Sequence, residues 1–146
     1  MTRGTTSPAD LELRALLSDA RTIAVVGLSS KPGRHSYQVA AYLQAHGYRI
    51  LPVNPNETEV LGERAYPSLP DIPSEIRIDV VDVFRRPEHT PEIARQAVAV
   101  GARALWLQEG IVSDEAARVA SEAGLDVIMG VCIEHVRERL MEEGSL

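Results

Sequence analysis

Two apolar patterns alternate along this chain. Five short runs rich in Val, Ile and Leu, at Thr22–Val26, Arg49–Val53, 78–84, 102–107 and Asp126–Met129, are apolar almost throughout, which predicts buried strands of a parallel sheet covered on both faces. Between them the spacing turns helical. Ser36, Val39, Ala40 and Leu43 follow i, i+3, i+4, i+7; Ala116, Val119, Ala120 and Ala123 repeat it; Ile93, Ala97 and Val100 give a sparser version. Upstream, Ser7-Pro8 opens a helix with a stripe of Leu13, Leu16, Leu17 and Ala20, and residues 133–143 read as a closing helix, both expected to pack on the sheet. Strand and helix alternating in this way predict an α/β fold.

The ends of these elements carry their own signals. Thr90-Pro91-Glu92 offers an N-cap, a proline at the first helical position and an acid in the first turn, and Ser113-Asp114-Glu115 caps another helix. Gly47, Gly101 and Gly124 each follow a helical run, where a left-handed residue ends the helix. The connection 54–77 contains Pro55, Pro67, Pro70 and Pro73, so it reads as extended chain with one helical turn near 68–72. The expected architecture is a Rossmann-like doubly wound parallel sheet of about five strands with helices on both faces. Strands two and three are placed on one side of strand one, and four and five on the other. That order puts the switch point at the carboxyl ends of strands one and four, the edge where ligands bind in such sheets.

The turn leaving the first strand is the most informative segment. Residues 27–36, Gly-Leu-Ser-Ser-Lys-Pro-Gly-Arg-His-Ser, contain Lys31, Arg34 and His35 and no acid. A strand that breaks into such a turn and feeds a helix offers bare backbone N–H groups and the positive helix end to an anion, most often phosphate. Gly27, Ser29 and Ser30 supply the tight, small-residue part. The dinucleotide fingerprint counted from Gly27 needs glycine at positions 29 and 32, which are Ser29 and Pro32, and the second strand ends Pro52-Val53-Asn54-Pro55 with no acid for a ribose diol. An unmodified NAD site is therefore disfavoured, and a nucleotide with extra phosphate is not.

Other strand ends add to this edge. Phe84, Arg85 and Arg86 follow the third strand, where two arginines reinforce a positive cleft and Phe84 or a guanidinium plane can stack on a base; Arg86 pairing with a nearby acid is the plain alternative. Glu109 and Gly110 follow the fourth, Gly110 permitting close backbone approach and Glu109 facing ligand or orienting an arginine. Cys132 follows the fifth. A lone cysteine is ordinarily a small buried hydrophobe; the sharper reading is a thiol that forms a mixed disulfide with a thiol-bearing cofactor. Asp79 and Asp82 lie inside a strand, where an edge-facing or hydrogen-bonded structural acid is expected rather than a catalytic pair. The four histidines show no metal-ligand spacing, and neither a GxSxG elbow nor a GxxxxGK[ST] loop is present. No metal and no complete catalytic set is expected.

Composition narrows the class. With 146 residues, 45% apolar and 25% charged, the chain reads as one soluble domain over 1–146. A net charge of −6 argues against broad nucleic-acid or anionic-membrane binding and leaves room for a small anion in one basic cleft. Lys31 is the only lysine among 15 basic residues, and it falls in that turn. One cysteine excludes an internal disulfide and fits a reducing compartment. No apolar run approaches the roughly 20 residues of a membrane span, and residues 1–6 lack a signal-like apolar core. A cytoplasmic location is expected.

The combination Val26-Gly-Leu-Ser-Ser-Lys-Pro32, Arg34, Ser36-Tyr37, Pro52-Val-Asn-Pro55, Leu61-Gly62, Tyr66-Pro-Ser-Leu69, Asp82-Val-Phe-Arg85 and Trp106-Leu-Gln-Glu-Gly110 resembles the small CoA-binding proteins whose fold is similar to the amino-terminal domain of the succinyl-CoA synthetase α subunit. The resemblance implies that Gly27, Ser29, Lys31 and Arg34 cradle CoA phosphates. It implies that Val53, Asn54, Phe84 and Arg85 flank the adenosine part, and that Glu109 and Gly110 lie near the pantetheine arm. Of the family's usual Asp, Arg, Cys, Pro, Lys after the last strand, Gly130-Val131-Cys132-Ile133-Glu134 keeps only the cysteine. The synthetase also needs a phosphohistidine domain and a nucleotide-binding partner subunit, for which this chain is expected to have no room.

The leading expectation is binding of CoA or an acyl-CoA in a basic cleft at the carboxyl edge, as a carrier, sensor or accessory protein, without catalysis of its own. A homodimer or a separate enzyme subunit is a possible partner. Alternatives are a redox sensor binding NAD(H) or another adenine nucleotide, an acyl-CoA-processing enzyme using Cys132 or Glu109 with a separate subunit, and an interaction module with a vestigial cleft.

Overall fold

Pro52 lies in the second of five parallel strands and has no N–H to give to a neighbour, which suits only an outer strand. The structure, a computed structural model, describes residues 8–142, and it places that strand at the edge of the sheet. The parallel strands are β1 (Thr22–Val26), β2 (Arg49–Val53), β5 (Val80–Val83), β6 (Ala104–Leu107) and β7 (Asp126–Met129). Their order is β2-β1-β5-β6-β7. The Pro52 carbonyl accepts the N–H of Tyr66 at 2.9 Å, on the side away from β1. This corrects the expected order: the third parallel strand does not stack beyond the second but pairs with β1 on its other side, Val25 opposite Asp82. The switch point accordingly lies between β1 and β5, not between strands one and four.

The crossover from β2 to β5 contains a hairpin absent from the expectation, β3 (Glu59–Val60) with β4 (Glu63–Arg64). Two-residue strands are too short to show a period of two. Their turn places Leu61 (φ 55) and Gly62 (φ 77) in the left-handed region, the geometry of a tight hairpin. Leu61 packs on the core and its carbonyl accepts a hydrogen bond from the Gln44 side chain at 3.0 Å. The expected helical turn is present as a 3-10 segment, Leu69–Asp71.

The helices are α1 (Pro8–Asp19), α2 (His35–Ala45), α3 (Thr90–Ala99), α4 (Asp114–Glu122) and α5 (Ile133–Glu142). Ser7 and Glu143, the outer limits of the expected first and last helices, lie outside the described residues. On one face of the sheet Leu16, Leu17, Val39, Leu43, Ile133 and Leu140, from α1, α2 and α5, bury Ile23, Val25 and Trp106. On the other, Ile93, Ala94 and Ala97 of α3 and Ala116 and Ala120 of α4 cover Val81, Val83, Leu105 and Leu107. Alternate strand residues thus feed opposite cores, and helices cover both faces as the near-continuous apolar runs require.

Ser113 caps α4 as expected, its hydroxyl accepting the Ala116 N–H at 3.1 Å. Thr90 does not cap α3. It is the first helical residue, entered from a 3-10 turn at Pro87–His89, and its hydroxyl donates to the Pro87 carbonyl at 2.6 Å. Strand β7 departs from the buried pattern as well: as the outer strand opposite β2, it leaves Asp126 exposed and the rest half-buried.

Candidate functional site

Three strand ends are tied together at the switch point. Gly27 donates its N–H to Val53 at 2.8 Å, and Phe84 donates to Val26 at 2.8 Å. Gly27 has φ +88, and a Cβ there would come within 2.5 Å of the Phe84 carbonyl oxygen and 3.1 Å of Arg85 Cδ. Only glycine lets the ends of β1 and β5 approach in this way. The turn that follows is thereby held directly over the gap between them.

Side-chain oxygens shape the rest of the turn. Ser36 Oγ, buried at the start of α2, accepts the Ser29 N–H at 3.1 Å; Ser29 Oγ accepts that of Lys31 at 3.1 Å. Asn54 donates to the Leu28 carbonyl at 3.0 Å and accepts from Asn56 at 2.9 Å, so its carboxamide is committed to framing the turn from the crossover side. Arg34 occupies the cap position of α2 in extended conformation and makes no side-chain cap bond, and the first helical turn has no acid. The leading N–H groups of α2 therefore meet no capping side chain and present the positive end of the helix. The Ser30 N–H is donated to Glu57 Oε2 at 2.9 Å, a carboxylate standing on the turn.

Charge gathers at this edge. Lys31, Arg34, Arg85 and Arg86 form no ion pair among the described residues, whereas Arg77, Arg95, Arg103 and Arg139 lie against Asp79, Glu92, Asp19 and Asp10. Four such cations gathered at one edge of a chain of net charge −6 make a local positive field.

Two clefts open along the carboxyl edge, one on each side of the sheet. Val53 and Arg85 line one of about 300 Å³, walled by Val26, Pro55, Pro67 and Ile93. Glu109 and Cys132 line the other, of about 270 Å³, with Val131, His135, Val136 and Arg139. Phe84, next to Arg85 along the chain, faces the second side, its ring edge-on to His35 with centroids 5.8 Å apart. Successive residues at a strand end point to opposite faces, so Phe84 and Arg85 are divided between the two sides. Gly110 has φ +82, a left-handed residue in the turn after β6, with open space around a hypothetical Cβ. A larger depression of about 520 Å³ lies at the amino-terminal edge among Asp19, Arg21, Arg49, Arg77, Asp79 and Arg103. The ion pairs of Arg77 and Arg103 lie there, remote from the switch point.

Cys132 is 2% exposed, and its Sγ lies 4.0 Å from His35 Nε2. Trp106 Nε1 donates to the Val131 carbonyl at 2.9 Å, and the Ile133 N–H donates to Gln108 Oε1 at 3.2 Å. Alternate side chains of β6 and its end thus fix the backbone on either side of the cysteine.

The two strand acids part company. Asp79 accepts the backbone N–H groups of Arg21 at 2.8 Å and Thr22 at 3.0 Å and pairs with Arg77 at 3.2 Å, the hydrogen-bonded structural acid of the sequence reading. Asp82 is not edge-facing and has no hydrogen-bond partner for either carboxyl oxygen among the described residues: it is fully buried in the central strand, and burial pushes its pKa well above the usual carboxylate range. No His, Cys, Asp and Glu group fit for a metal ion occurs among the described residues, and no helix among them is long and apolar enough to cross a membrane. Ser36, Glu57 and Gln108 were absent from the expected set. Ser36 reads in sequence as one more position on an inward helical face, and Glu57 and Gln108 acquire meaning only from partners about 25 residues away.

Comparison with known proteins bears on this geometry. Bacillus subtilis YneT, an uncharacterized protein, is 41% identical over 128 residues, covering 88% of this chain and 93% of YneT. A structure from Pyrococcus horikoshii OT3, of a hypothetical protein, superimposes with a TM-score of 0.88 at 41% identity over 97% of this chain and 98% of that one. The ADP-forming acetate–CoA ligase II of Archaeoglobus fulgidus is 32% identical over 82 residues, 53% of this chain but 12% of the ligase. Residues 21–137, spanning all five parallel strands, the basic turn and Cys132, match the family model described as a CoA binding domain, and the chain belongs to that CoA-binding family.

Proposed function

We propose that CoA lies across the switch point, with its phosphates on residues 27–36. Lys31, Arg34 and the leading N–H groups of α2 supply the charge and donors. Val53 and Arg85 flank the adenosine part, and the pantetheine arm runs past His35 and Phe84 toward Glu109 and Cys132. The observation that carries this reading is the uncapped start of α2 beside Lys31 and Arg34, which form no ion pair among the described residues, since a helix end that meets no capping side chain is suited to an external anion. The domain acts as an accessory module that holds CoA or an acyl-CoA for a separate catalytic subunit. The likeness to a short stretch of the acetate–CoA ligase supports that role, because the ligase's remaining 88% has no counterpart in the match. The chain functions as one domain.

Thermal shift with CoA, dephospho-CoA, acetyl-CoA and NAD tests the reading. A ligand at about 100 times its dissociation constant raises stability by roughly 2.7 kcal/mol, or several degrees for a chain of this size. CoA and acetyl-CoA are expected to stabilise more than NAD, and loss of the 3′-phosphate is expected to weaken the effect. A flat response to all four overturns the proposal.

A further inference from the structure

We infer that Trp106 and Gln108 are positioning residues for the pantetheine arm: from the end of β6 they hold the loop 130–133, whose Gly130, Val131 and Cys132 form one wall of the 270 Å³ cleft. The inference rests on the placement of the arm proposed above, and it concerns two side chains that do not themselves line the cleft. Three consecutive residues grip that loop. The Gly130 N–H donates to the Leu107 carbonyl at 2.9 Å, Trp106 Nε1 donates to the Val131 carbonyl at 2.9 Å, and the Ile133 N–H donates to Gln108 Oε1 at 3.2 Å.

Burial makes these contacts hard to exchange. Trp106 is 0% and Gln108 1% exposed, so neither polar group can turn to water, and a partner removed from a buried pair leaves its mate unsatisfied. Gln108 also gives an acceptor to the first N–H of α5, which no residue of that helix can take. The chain is thus fixed at the peptides on both sides of Cys132, while the Val131 side chain is left 41% exposed.

The direction of the Val131 carbonyl decides what this wall offers. A trans peptide carries its C=O and N–H on opposite edges, so the bond to the indole turns the Cys132 N–H away from Trp106. That N–H makes no hydrogen bond among the described residues. The amide carbonyls of a pantetheine arm, or the carbonyl of its thioester, are acceptors for such a donor; with the peptide turned over, the wall sets a carbonyl against them instead. Trp106 and Gln108 act on the arm through this stretch of backbone, without touching it.

Trp106 is the only tryptophan in the chain, so its emission reports on this clamp in the unaltered protein. The test is a fluorescence titration with CoA and with adenosine 3′,5′-bisphosphate, which lacks the arm, and calorimetry for the affinities. In the wild type CoA is expected to bind more tightly than the bisphosphate and to shift the emission, and the bisphosphate to bind without shifting it. Trp106→Phe and Gln108→Met are each expected to weaken CoA binding about tenfold and to leave that of the bisphosphate unchanged. Equal weakening of both ligands, the mark of a general loosening of the fold, overturns the inference. So does wild-type CoA binding that is no tighter than that of the bisphosphate or leaves the emission unmoved, and the phosphate site then still stands; a wild type that binds no CoA defeats both readings. The wild-type titration is decisive even where a variant fails to fold.

Discussion

Glu57 Oε2 accepts the backbone N–H of Ser30 at 2.9 Å. A carboxylate from the crossover thus occupies a donor in the middle of the basic turn, in the position of an internal stand-in for a phosphate oxygen. Removing its charge weakens that hydrogen bond, so the N–H yields more readily to the ligand, and relieves repulsion of the incoming phosphates. Glu57→Gln is expected to tighten CoA binding severalfold by calorimetry, on the scale of one charge-assisted hydrogen bond. Weaker binding in this variant assigns Glu57 to the framework of the turn instead.

Lys31 and Arg34 are exposed and form no ion pair among the described residues. Alanine at either position is expected to weaken CoA binding about tenfold, the factor that corresponds to roughly 1.4 kcal/mol, and to flatten its dependence on salt because a screened charge contact is gone. Affinity measured at two salt concentrations reads both effects. Unchanged affinity in both variants removes the turn from the site.

Gly27→Ala sets a methyl 2.5 Å from the Phe84 carbonyl in a left-handed conformation. Left-handed strain and overpacking together are expected to destabilise the fold by at least about 2 kcal/mol, a fall in Tm of roughly 5 °C or more. Gly110→Ala shares the left-handed backbone and meets open space, so its smaller loss isolates the steric part.

Asp82 gives stability a pH dependence of definite sign. Burial raises its native pKa well above the ordinary value, so between about pH 4 and that raised value the folded chain holds a proton that the unfolded chain has lost. Folding stability from this group is complete below the unfolded pKa and falls by about 1.4 kcal/mol per pH unit as pH rises through the window. Asp82→Asn cannot ionise. Its stability relative to wild type, from urea midpoints, is expected to improve as pH rises above the unfolded carboxylate pKa; a constant difference shows that Asp82 is not the titrating group.

Periodic side chains foretold the elements well. Asp126–Met129 matches the observed strand end to end, and the Ser113 cap and the left-handed glycines at 47, 101 and 124 stand where their chemistry put them. These are local facts: a repeat of apolar residues, a hydroxyl three residues from an N–H, a missing Cβ. Lys31, Arg34, Phe84 and Arg85 were recognisable at one edge for the same reason, because strands that run parallel deliver their ends together.

Pairing between distant residues is another matter. Val25 aligns with Asp82 across 57 positions, and Pro52 turns its carbonyl to Tyr66 rather than to a further strand; together these choices move the switch point to the end of β5. Pro52 carried a hint of that edge, but a proline only forbids a neighbour and names none. The division of Phe84 from Arg85, the reach of His35 to Cys132 and the seat of Glu57 on Ser30 likewise depend on where whole elements pack. The apolar pattern settles which residues must leave water, since that preference belongs to each side chain and its near neighbours. Which of them then meet is settled by the sheet, where backbone hydrogen bonds and two packed faces fix the register of residues far apart in the chain.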